Sequence, residues 1–254
     1  MVVGLTMMAG PAMACIGQGE GSQTGGVQLQ PGPSGFYAAF YGSPTDIYGH
    51  DVLGRARDGL TLHLRFVSYE GGCRDWVVQS GDGHVFEDTR PRITDVDSDG
   101  RPELVAVRSS LTQGAQLVVY RIDDDRLTPL AATPYIGTRH RWLAPAAWGD
   151  LDGDGAWEVA YVDRPHLAKV LRVWRLVGDE LRPVASLEGV TNHAIGQPFI
   201  EGIQADCLDG VRFTLRDAAR TRTLSVALRG DVLDVRDLGT GTNGHATLGD
   251  PCDA

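Results

Sequence analysis

The sequence predicts an all-β protein built from repeated four-stranded antiparallel units. Short segments rich in β-branched and aromatic residues alternate with turn residues along most of the chain. No long stretch has the apolar spacing of an amphipathic helix. An acidic loop of fixed spacing also occurs twice, each time directly before a strand-like segment, which indicates an internal repeat.

The two acidic loops run from Asp95 to Glu103 and from Asp150 to Glu158. In both loops carboxylates occupy positions 1, 3, 5 and 9, and Gly occupies position 6. Carboxylates held this close repel one another unless a cation lies between them, and oxygen ligands in a flexible loop suit Ca²⁺ better than Mg²⁺ or Zn²⁺. The sequence therefore predicts two Ca²⁺ sites, in which position 7 contributes its backbone carbonyl. The predicted ligands are Asp95, Asp97, Asp99, Arg101 and Glu103 in the first loop, and Asp150, Asp152, Asp154, Ala156 and Glu158 in the second.

Other interpretations of the acidic loops are weaker. An EF-hand requires a bidentate Glu at position 12 and a helix after it. Position 12 is Ala106 in the first copy and Tyr161 in the second, and a strand-like segment follows each loop. This excludes an EF-hand, and a dockerin-like pair on the same ground. A metal-free acidic turn is the remaining alternative, although two copies with the same spacing favour metal binding.

The internal repeat extends beyond the acidic loops. Residues 117–122 correspond to 171–176, and residues 124–129 correspond to 178–183, in each case 54 residues later. Each unit is predicted to contain a strand, the acidic loop, a second strand, a connection, and then a hairpin of two further strands. This order is a four-stranded meander. Two weaker units flank the pair and lack the acidic loop.

Repeated four-stranded sheets that cannot bury both faces alone pack face to face around an axis. The predicted fold is therefore a small β-propeller with four blades, and a longer propeller fragment or a two-sheet sandwich is the alternative. A strand at 35–40 is expected to close the ring beside the last blade. The predicted blades lie at about 45–88, 90–135, 140–188 and 193–240, within a single domain at 36–250.

The residues Trp-Gly-Asp-Leu-Asp-Gly-Asp-Gly, from Trp148 to Gly155, resemble the FG-GAP repeat of VCBS-type and integrin-α-like propellers. The resemblance is strong over residues 93–187. It implies that Ca²⁺ binds between the first and second strands of a blade, through the four carboxylates of each loop. Glu stands at position 9 instead of the more frequent Asp, and the Phe-Gly…Gly-Ala-Pro part of the repeat is absent. Proteins of this family mostly bind partners or glycans, and some join the propeller to lyase or lipase activity.

The first 14 residues are apolar and uncharged and end in an Ala12-x-Ala14 pattern typical of signal-peptidase sites. They predict a signal peptide, although a positive n-region is absent, and they are too short to span a bilayer. Residues 15–35 are rich in Gly, Ser, Gln and Pro and predict a flexible leader. Four cysteines allow three disulfide pairings and suit an oxidising compartment. We expect a periplasmic or secreted protein, with a lipid anchor at Cys15 less favoured because Ala12 replaces the usual lipobox Leu.

The net charge argues against nucleic-acid binding. The chain carries 33 acidic and 23 basic residues, for a formal net charge of −10. No transmembrane segment is predicted. The expected partner is a protein or a glycan.

The predicted ligand site lies at the end of the propeller opposite the acidic loops. In a meander, the loop before the first strand and the loop between the second and third strands share one end. Here that end collects His, Arg and Trp side chains, which predicts an anionic ligand held by Arg forks and by stacking on Trp142. Alternatively, these side chains cap strand ends and pair with nearby carboxylates. The candidates are His50, Arg92, Arg139, His140, Arg141, Trp142, Asp163, Arg164, His166 and His193.

The sequence favours a binding protein over an enzyme. It contains no G-x-S-x-G elbow, no H-E-x-x-H motif and no P-loop. No catalytic residue is predicted. The alternative is a polysaccharide lyase or hydrolase that uses the His and Arg side chains at the propeller mouth.

Overall fold

The computed structural model describes residues 24–54, 56–240 and 250–253. Regular secondary structure in these residues consists of 18 strands, and no helix occurs among them. This confirms the all-β fold class. The predicted signal peptide at 1–14 and residues 15–23 of the predicted leader lie outside the described residues.

The strands form four antiparallel meanders in chain order. The first contains β1 (Thr24–Gly32), β2 (Gly35–Thr45), β3 (Asp58–Ser68) and β4 (Cys73–Gln79). The second contains β6 (Arg92–Thr94), β7 (Glu103–Ser110), β8 (Gly114–Asp123) and β9 (Arg126–Ala132). The short strand β5 (His84–Phe86) pairs with both β3 and β7 and joins these two meanders into one sheet.

The third and fourth meanders are separate sheets. The third contains β10 (Leu143–Gly149), β11 (Glu158–Asp163), β12 (Val170–Val177) and β13 (Glu180–Glu188). The fourth contains β14 (Val190–Thr191), β15 (Gln204–Cys207), β16 (Gly210–Asp217), β17 (Arg222–Arg229) and β18 (Val232–Thr240). Both β14 and β15 pair with β16, so they share the first position of this meander.

The hydrophobic core lies between the sheets, and β11 shows how the sequence creates it. Side chains of a strand alternate between its two faces. Val159 and Tyr161 pack into a cluster shared with the second meander, whereas Ala160 and Val162 pack into a cluster shared with the fourth. The strand is buried on both faces, which explains its continuous apolar sequence. The sheets therefore pack face to face, as expected for a propeller.

Backbone contacts link neighbouring meanders, and the fourth also contacts the first. The N–H of Ala115 donates to the carbonyl of Arg141 at 2.8 Å, between the second and third meanders. The N–H of Gly196, in the fourth, donates to the carbonyl of Val52 at 3.0 Å, in the loop between β2 and β3. These contacts are compatible with a ring, while the number of propeller blades stays a prediction.

The N-terminal part of the fold differs from the expectation. Residues 15–35 were predicted to be a flexible leader, but Thr24–Gly32 form strand β1, paired with β2. Strand β1 is an edge strand with mostly exposed side chains, so it carries little of the apolar signal that marks a buried strand. The strand expected at 35–40 belongs to β2, where it pairs with β1 and β3 and not with the last meander.

A disulfide joins Cys207 of β15 to Cys252 in the C-terminal segment, with a Cα–Cα distance of 5.4 Å. This is one of the possible pairings, and Cys73 is also disulfide-bonded. Next to Cys252 in the chain, the carbonyl of Pro251 accepts from the hydroxyl of Ser225 at 2.6 Å. The C-terminal segment is thus attached to the fourth meander. In the part of the chain that the structure describes, no helix has the length and apolar character needed to cross a membrane.

Candidate functional site

The two acidic loops occupy equivalent places and share most of their internal hydrogen bonds; among the described residues, only in the second does the N–H at position 4, that of Gly153, donate to Oδ1 of the position-1 carboxylate, at 2.8 Å. The first connects β6 to β7 and the second connects β10 to β11. At position 6, the N–H groups of Gly100 and Gly155 each donate to the position-1 carboxylate of their own loop at 3.0 Å. Both glycines have positive φ, of 81° and 88°, which a residue with a side chain rarely adopts. The position-9 glutamates, Glu103 and Glu158, each accept from the position-2 N–H at 2.9 Å.

The oxygen atoms of these loops converge as a cation site requires. In the first loop, carboxylate oxygens of Asp95, Asp97 and Asp99 lie within 4.8 Å of one another, and the second loop has a corresponding group of three, Asp150, Asp152 and Glu158. Oδ1 of Asp95 is buried without a hydrogen-bond partner among the described residues. Burial raises the pKa of Glu103 to about 7, and the charges of Asp97, Asp99 and Asp95 add to this effect. A bound cation would supply the missing partner and relieve the repulsion, so the residues fit Ca²⁺.

A cavity of about 720 Å³ lies where the four meanders come together. We call it the axial cavity. Its wall includes residues of β1, β6 and β10, and the segment that leads into β15. The aromatic, charged and amide side chains of this wall include those of Arg90, Arg92, Trp148, Phe199, Glu201 and Gln204. The wall thus combines aromatic, cationic, anionic and amide groups in one concave surface.

Trp148, in strand β10, is contacted in this wall at both its backbone and its ring. The side-chain amide of Gln204 donates to the backbone carbonyl of Trp148 at 2.8 Å and accepts from the backbone N–H of Trp148 at 3.0 Å. The guanidinium of Arg92 lies over the indole, 5.7 Å from the ring centroid. Gln204 therefore anchors the backbone of Trp148 at the cavity, and Arg92 packs against its indole.

The two arginines of the axial cavity differ in their environment. Arg92 is buried, forms an ion pair with Asp88 and donates to the carbonyl of Arg90 at 2.8 Å. Its Nε has no partner among the described residues. Arg90 is exposed, so its guanidinium can reach an incoming anion. Of the ten predicted ligand residues, Arg92 is the one that lines this cavity.

The first group of predicted site residues surrounds Tyr48. The rings of His50 and His140 are stacked, with centroids 4.9 Å apart and planes 5° from parallel. Nδ1 of His50 lies 2.5 Å from Oε1 of the buried Glu87, and the guanidinium of Arg139 donates to the carbonyl of Tyr48 at 2.9 Å. Loops of the first and third meanders are thereby joined at this end.

A second group contains His166 and His193, whose Nε2 and Nδ1 atoms are 2.9 Å apart. Nε2 of His193 lies 2.8 Å from the carbonyl oxygen of Gln197. Because a carbonyl only accepts, the neutral His193 ring carries its hydrogen on Nε2, and its Nδ1 accepts from His166. Burial, together with the neighbouring His193 ring, lowers the pKa of His166 to about 4. The pair is therefore uncharged at neutral pH.

The His166 ring is expected to titrate near pH 4, well below the usual histidine pKa of 6.5. Since the folded-state value is the lower one, the unfolded chain binds more protons between these pH values, and stability falls as the pH drops from 6.5 towards 4. NMR signals of the ring, followed from neutral to acid pH, measure this pKa. The variant His193→Gln removes the neighbouring ring and should raise the pKa of His166. Titration of wild-type His166 near 6.5 would contradict this assignment.

The remaining predicted site residues have structural partners. The Asp163 carboxylate accepts from Arg164 at 2.8 Å and from Arg172 at 2.9 Å, as the strand-capping alternative predicted. Arg141 donates to the carbonyl of His140 at 3.2 Å. Trp142 is only 2% exposed, and its indole N–H donates to the carbonyl of Glu87 at 2.8 Å. Its proposed role as an exposed stacking surface was therefore wrong, because the packing of neighbouring meanders covers it.

The sequence interpretation missed several residues of the axial cavity, namely Trp148, Phe199, Glu201 and Gln204. Trp148 directly precedes the second acidic loop, and an aromatic residue in that position was a signal that could have been used. The segment 198–204 has no pattern that marks it as part of a site. Only the packing of four meanders brings it opposite Trp148.

Comparisons with known proteins agree with the repeat described above. A sequence model of the FG-GAP-like repeat matches residues 95–161, a segment that contains both acidic loops. Among solved structures, the chain is similar to the rhamnogalacturonan lyase PL11 of Bacillus licheniformis, with 14% sequence identity and a TM-score of 0.37. The match covers 85% of this chain and 52% of that one, so the chain spans about half the length of the lyase structure. No curated protein matches the chain in sequence. The chain therefore carries an FG-GAP-like repeat at residues 95–161.

Proposed function

We propose that this protein is an exported, Ca²⁺-stabilised β-propeller that binds an acidic glycan in its axial cavity. The observation that carries the proposal is the indole of Trp148 in a concave wall that also contains the exposed Arg90, with the buried, ion-paired Arg92 over the indole. An indole face can cover the apolar face of a sugar ring, while a guanidinium pairs with a sugar carboxylate in a planar, two-point contact. The wall has both groups within one cavity.

The shape of the cavity favours a glycan over a protein partner. Its volume of about 720 Å³ falls within the range of about 300–1,000 Å³ that is typical of small-molecule sites. A stable protein interface instead buries about 800 Å² on each partner. Glu201 is ion-paired with Arg216 and Arg220, and Gln204 is bonded to the backbone of Trp148. Each therefore offers only its remaining lone pairs or N–H to sugar hydroxyls. The exposed Arg90 at the same wall favours a chain that carries negative charge.

In this proposal Ca²⁺ has a structural role. Asp95, Asp97, Asp99 and Glu103 would hold one ion and Asp150, Asp152, Asp154 and Glu158 the other, with the carbonyls of Arg101 and Ala156 at position 7. Each ion would join the first and second strands of a meander and offset the repulsion within its loop. The second loop begins directly after Trp148 and Gly149, so its order also supports the wall of the axial cavity.

Export to the periplasm or the exterior is supported by two features. Residues 1–14 have the composition of a signal peptide, and Cys207 is disulfide-bonded to Cys252. Disulfides persist in oxidising compartments. Ca²⁺ is also abundant outside the cytosol, so the metal and the disulfide point to the same location.

Trp148→Ala is expected to weaken glycan binding at least about tenfold, because truncation of a central aromatic anchor commonly has an effect of this size. The purified protein is first tested on an array of acidic and neutral glycans with Ca²⁺ present, and affinities for the best ligand are then measured by calorimetry. Trp174→Ala is the matched control. Trp174 is also half-buried and packs against the same core cluster, but it donates to Tyr161 and lies outside the cavity wall.

Equal losses in the two tryptophan variants would contradict binding at the axial cavity. Binding of neutral glycans alone would contradict the role of Arg90, and Arg90→Gln tests that role directly. Capture of a protein with no glycan bound would favour a protein partner instead. Turnover of a polysaccharide, lost in a His166→Gln variant, would favour the alternative of a lyase or hydrolase that uses the His and Arg side chains.

A further inference from the structure

The two acidic loops differ in the side chain that the third strand of their meander presents to them. Arg175 of β12 reaches into the second loop. Its Nε donates to Oε1 of Glu158 at 2.5 Å, and its Nη2 donates to Oδ2 of Asp152 at 2.6 Å. The same Nη2 lies 3.5 Å from Oδ2 of Asp154. One guanidinium thus contacts three of the four carboxylates that would bind a cation in this loop.

The equivalent residue of the preceding repeat does not enter the first loop. Arg121 of β8 stands 54 residues earlier and is 46% exposed. Its Nη2 lies 3.8 Å from Asp123, a residue of its own strand. The same repeat position therefore places a guanidinium within the second loop and a guanidinium outside the first.

Arg175 also has an acidic neighbour on the next meander. Its Nη1 lies 3.6 Å from Oδ1 of Asp231, in the turn between β17 and β18. This contact draws the guanidinium to the edge of the second loop. It also provides an acid to which the guanidinium can turn if a cation replaces it between Asp152 and Glu158.

We propose that Arg175 is a built-in competitor for Ca²⁺ in the second loop, so that the two loops bind Ca²⁺ in sequence. The inference rests on the proposed Ca²⁺ binding. Ca²⁺ that enters the second loop must displace a guanidinium from two charge-assisted hydrogen bonds and is repelled by it until it leaves. In the first loop the exposed Arg101 lies 3.8 Å from Oδ2 of Asp99, a single longer contact, so less has to be displaced there. The first loop therefore binds Ca²⁺ at least about tenfold more tightly than the second.

Calorimetric titration of the chelator-treated full chain with CaCl₂ tests this inference. We expect the wild type to show two binding phases that differ in affinity by about tenfold or more. Arg175→Gln removes the competing charge and should bring the weaker phase close to the tighter one. Arg121→Gln, at the same repeat position, is the matched control and should leave both phases as in the wild type.

Loop-specific variants assign the phases independently of how well Arg175→Gln folds. Asp95→Asn, at position 1 of the first loop, should abolish the tight phase. Asp150→Asn, at position 1 of the second loop and not a partner of Arg175, should abolish the weak phase. Two equal phases in the wild type, or loss of the tight phase in Asp150→Asn, would overturn the role of Arg175 and leave Ca²⁺ binding intact. No Ca²⁺ uptake at all would overturn both proposals.

Discussion

Removal of Ca²⁺ by a chelator is expected to lower the melting temperature of this protein by about 5–11 °C for the first loop alone, and by more where the second loop is also occupied. A site that is saturated at about 100 times its Kd stabilises the folded state by about 2.7 kcal/mol. For a chain of this size, each kcal/mol corresponds to about 2–4 °C. The reason lies in the acidic loops, where the carboxylates of Asp95, Asp97 and Asp99 converge and Glu103 is buried beside them. Without the ion, these groups repel one another and oppose folding.

Melting curves with Ca²⁺ and with excess chelator measure this effect, followed by tryptophan fluorescence or calorimetry. Asp95→Asn keeps the shape of the side chain but removes a ligand charge, so it should reduce the difference between the two curves. Asp124→Asn is the control, because Asp124 lies in the β8–β9 hairpin with φ of 43°, a conformation that Asn tolerates. Identical curves with and without Ca²⁺ in the wild type would refute structural Ca²⁺.

Trp142→Ala is expected to destabilise the protein by about 3–5 kcal/mol, the range for removal of a large buried aromatic side chain. Trp142 is among the largest fully enclosed side chains and packs in the core cluster that the second and third meanders share. Its indole N–H also donates to the carbonyl of Glu87, so truncation leaves a buried acceptor without its partner. Both losses act on the folded state.

Urea unfolding, compared between Trp142→Ala, Trp142→Phe and the wild type, measures this loss. The Phe variant keeps most of the apolar contact and loses only the indole N–H and part of the ring, so it should be less destabilised than the Ala variant. Trp148→Ala provides the contrast, since it should reduce glycan affinity with a smaller change in stability. A Trp142→Ala variant that is as stable as the wild type but no longer binds glycan would restore Trp142 as a stacking residue.

The acidic loops could be predicted from the sequence because their geometry is local. Nine consecutive residues contain the carboxylates, the glycine with positive φ and the backbone N–H groups that orient them. The strands after the loops were predictable for a similar reason. Val159 and Ala160 face opposite cores, so the run of apolar residues in β11 records burial on both faces.

The position of the wall of the axial cavity could not be predicted in this way, as two tryptophans illustrate. Trp142 and Trp148 lie six residues apart, just before and within strand β10. The sequence interpretation chose Trp142 as the exposed ring, but neighbouring meanders enclose it, and Trp148 lines the cavity instead. Exposure depends on which segments pack nearby, and for Trp148 these include Gln204, which is distant in sequence.

The amino-acid sequence by itself determined the all-β class, the repeat and the two acidic loops of this protein. These features depend on residue composition and spacing along the chain, which can be read without knowing how the segments pack. The tertiary structure alone decided that β1 joins the first meander, that Trp148 faces a cavity and that Arg175 enters its acidic loop whereas Arg121 does not. These outcomes depend on contacts between segments that are separated in the chain, such as Asp231 beside Arg175, whose proximity no local pattern encodes.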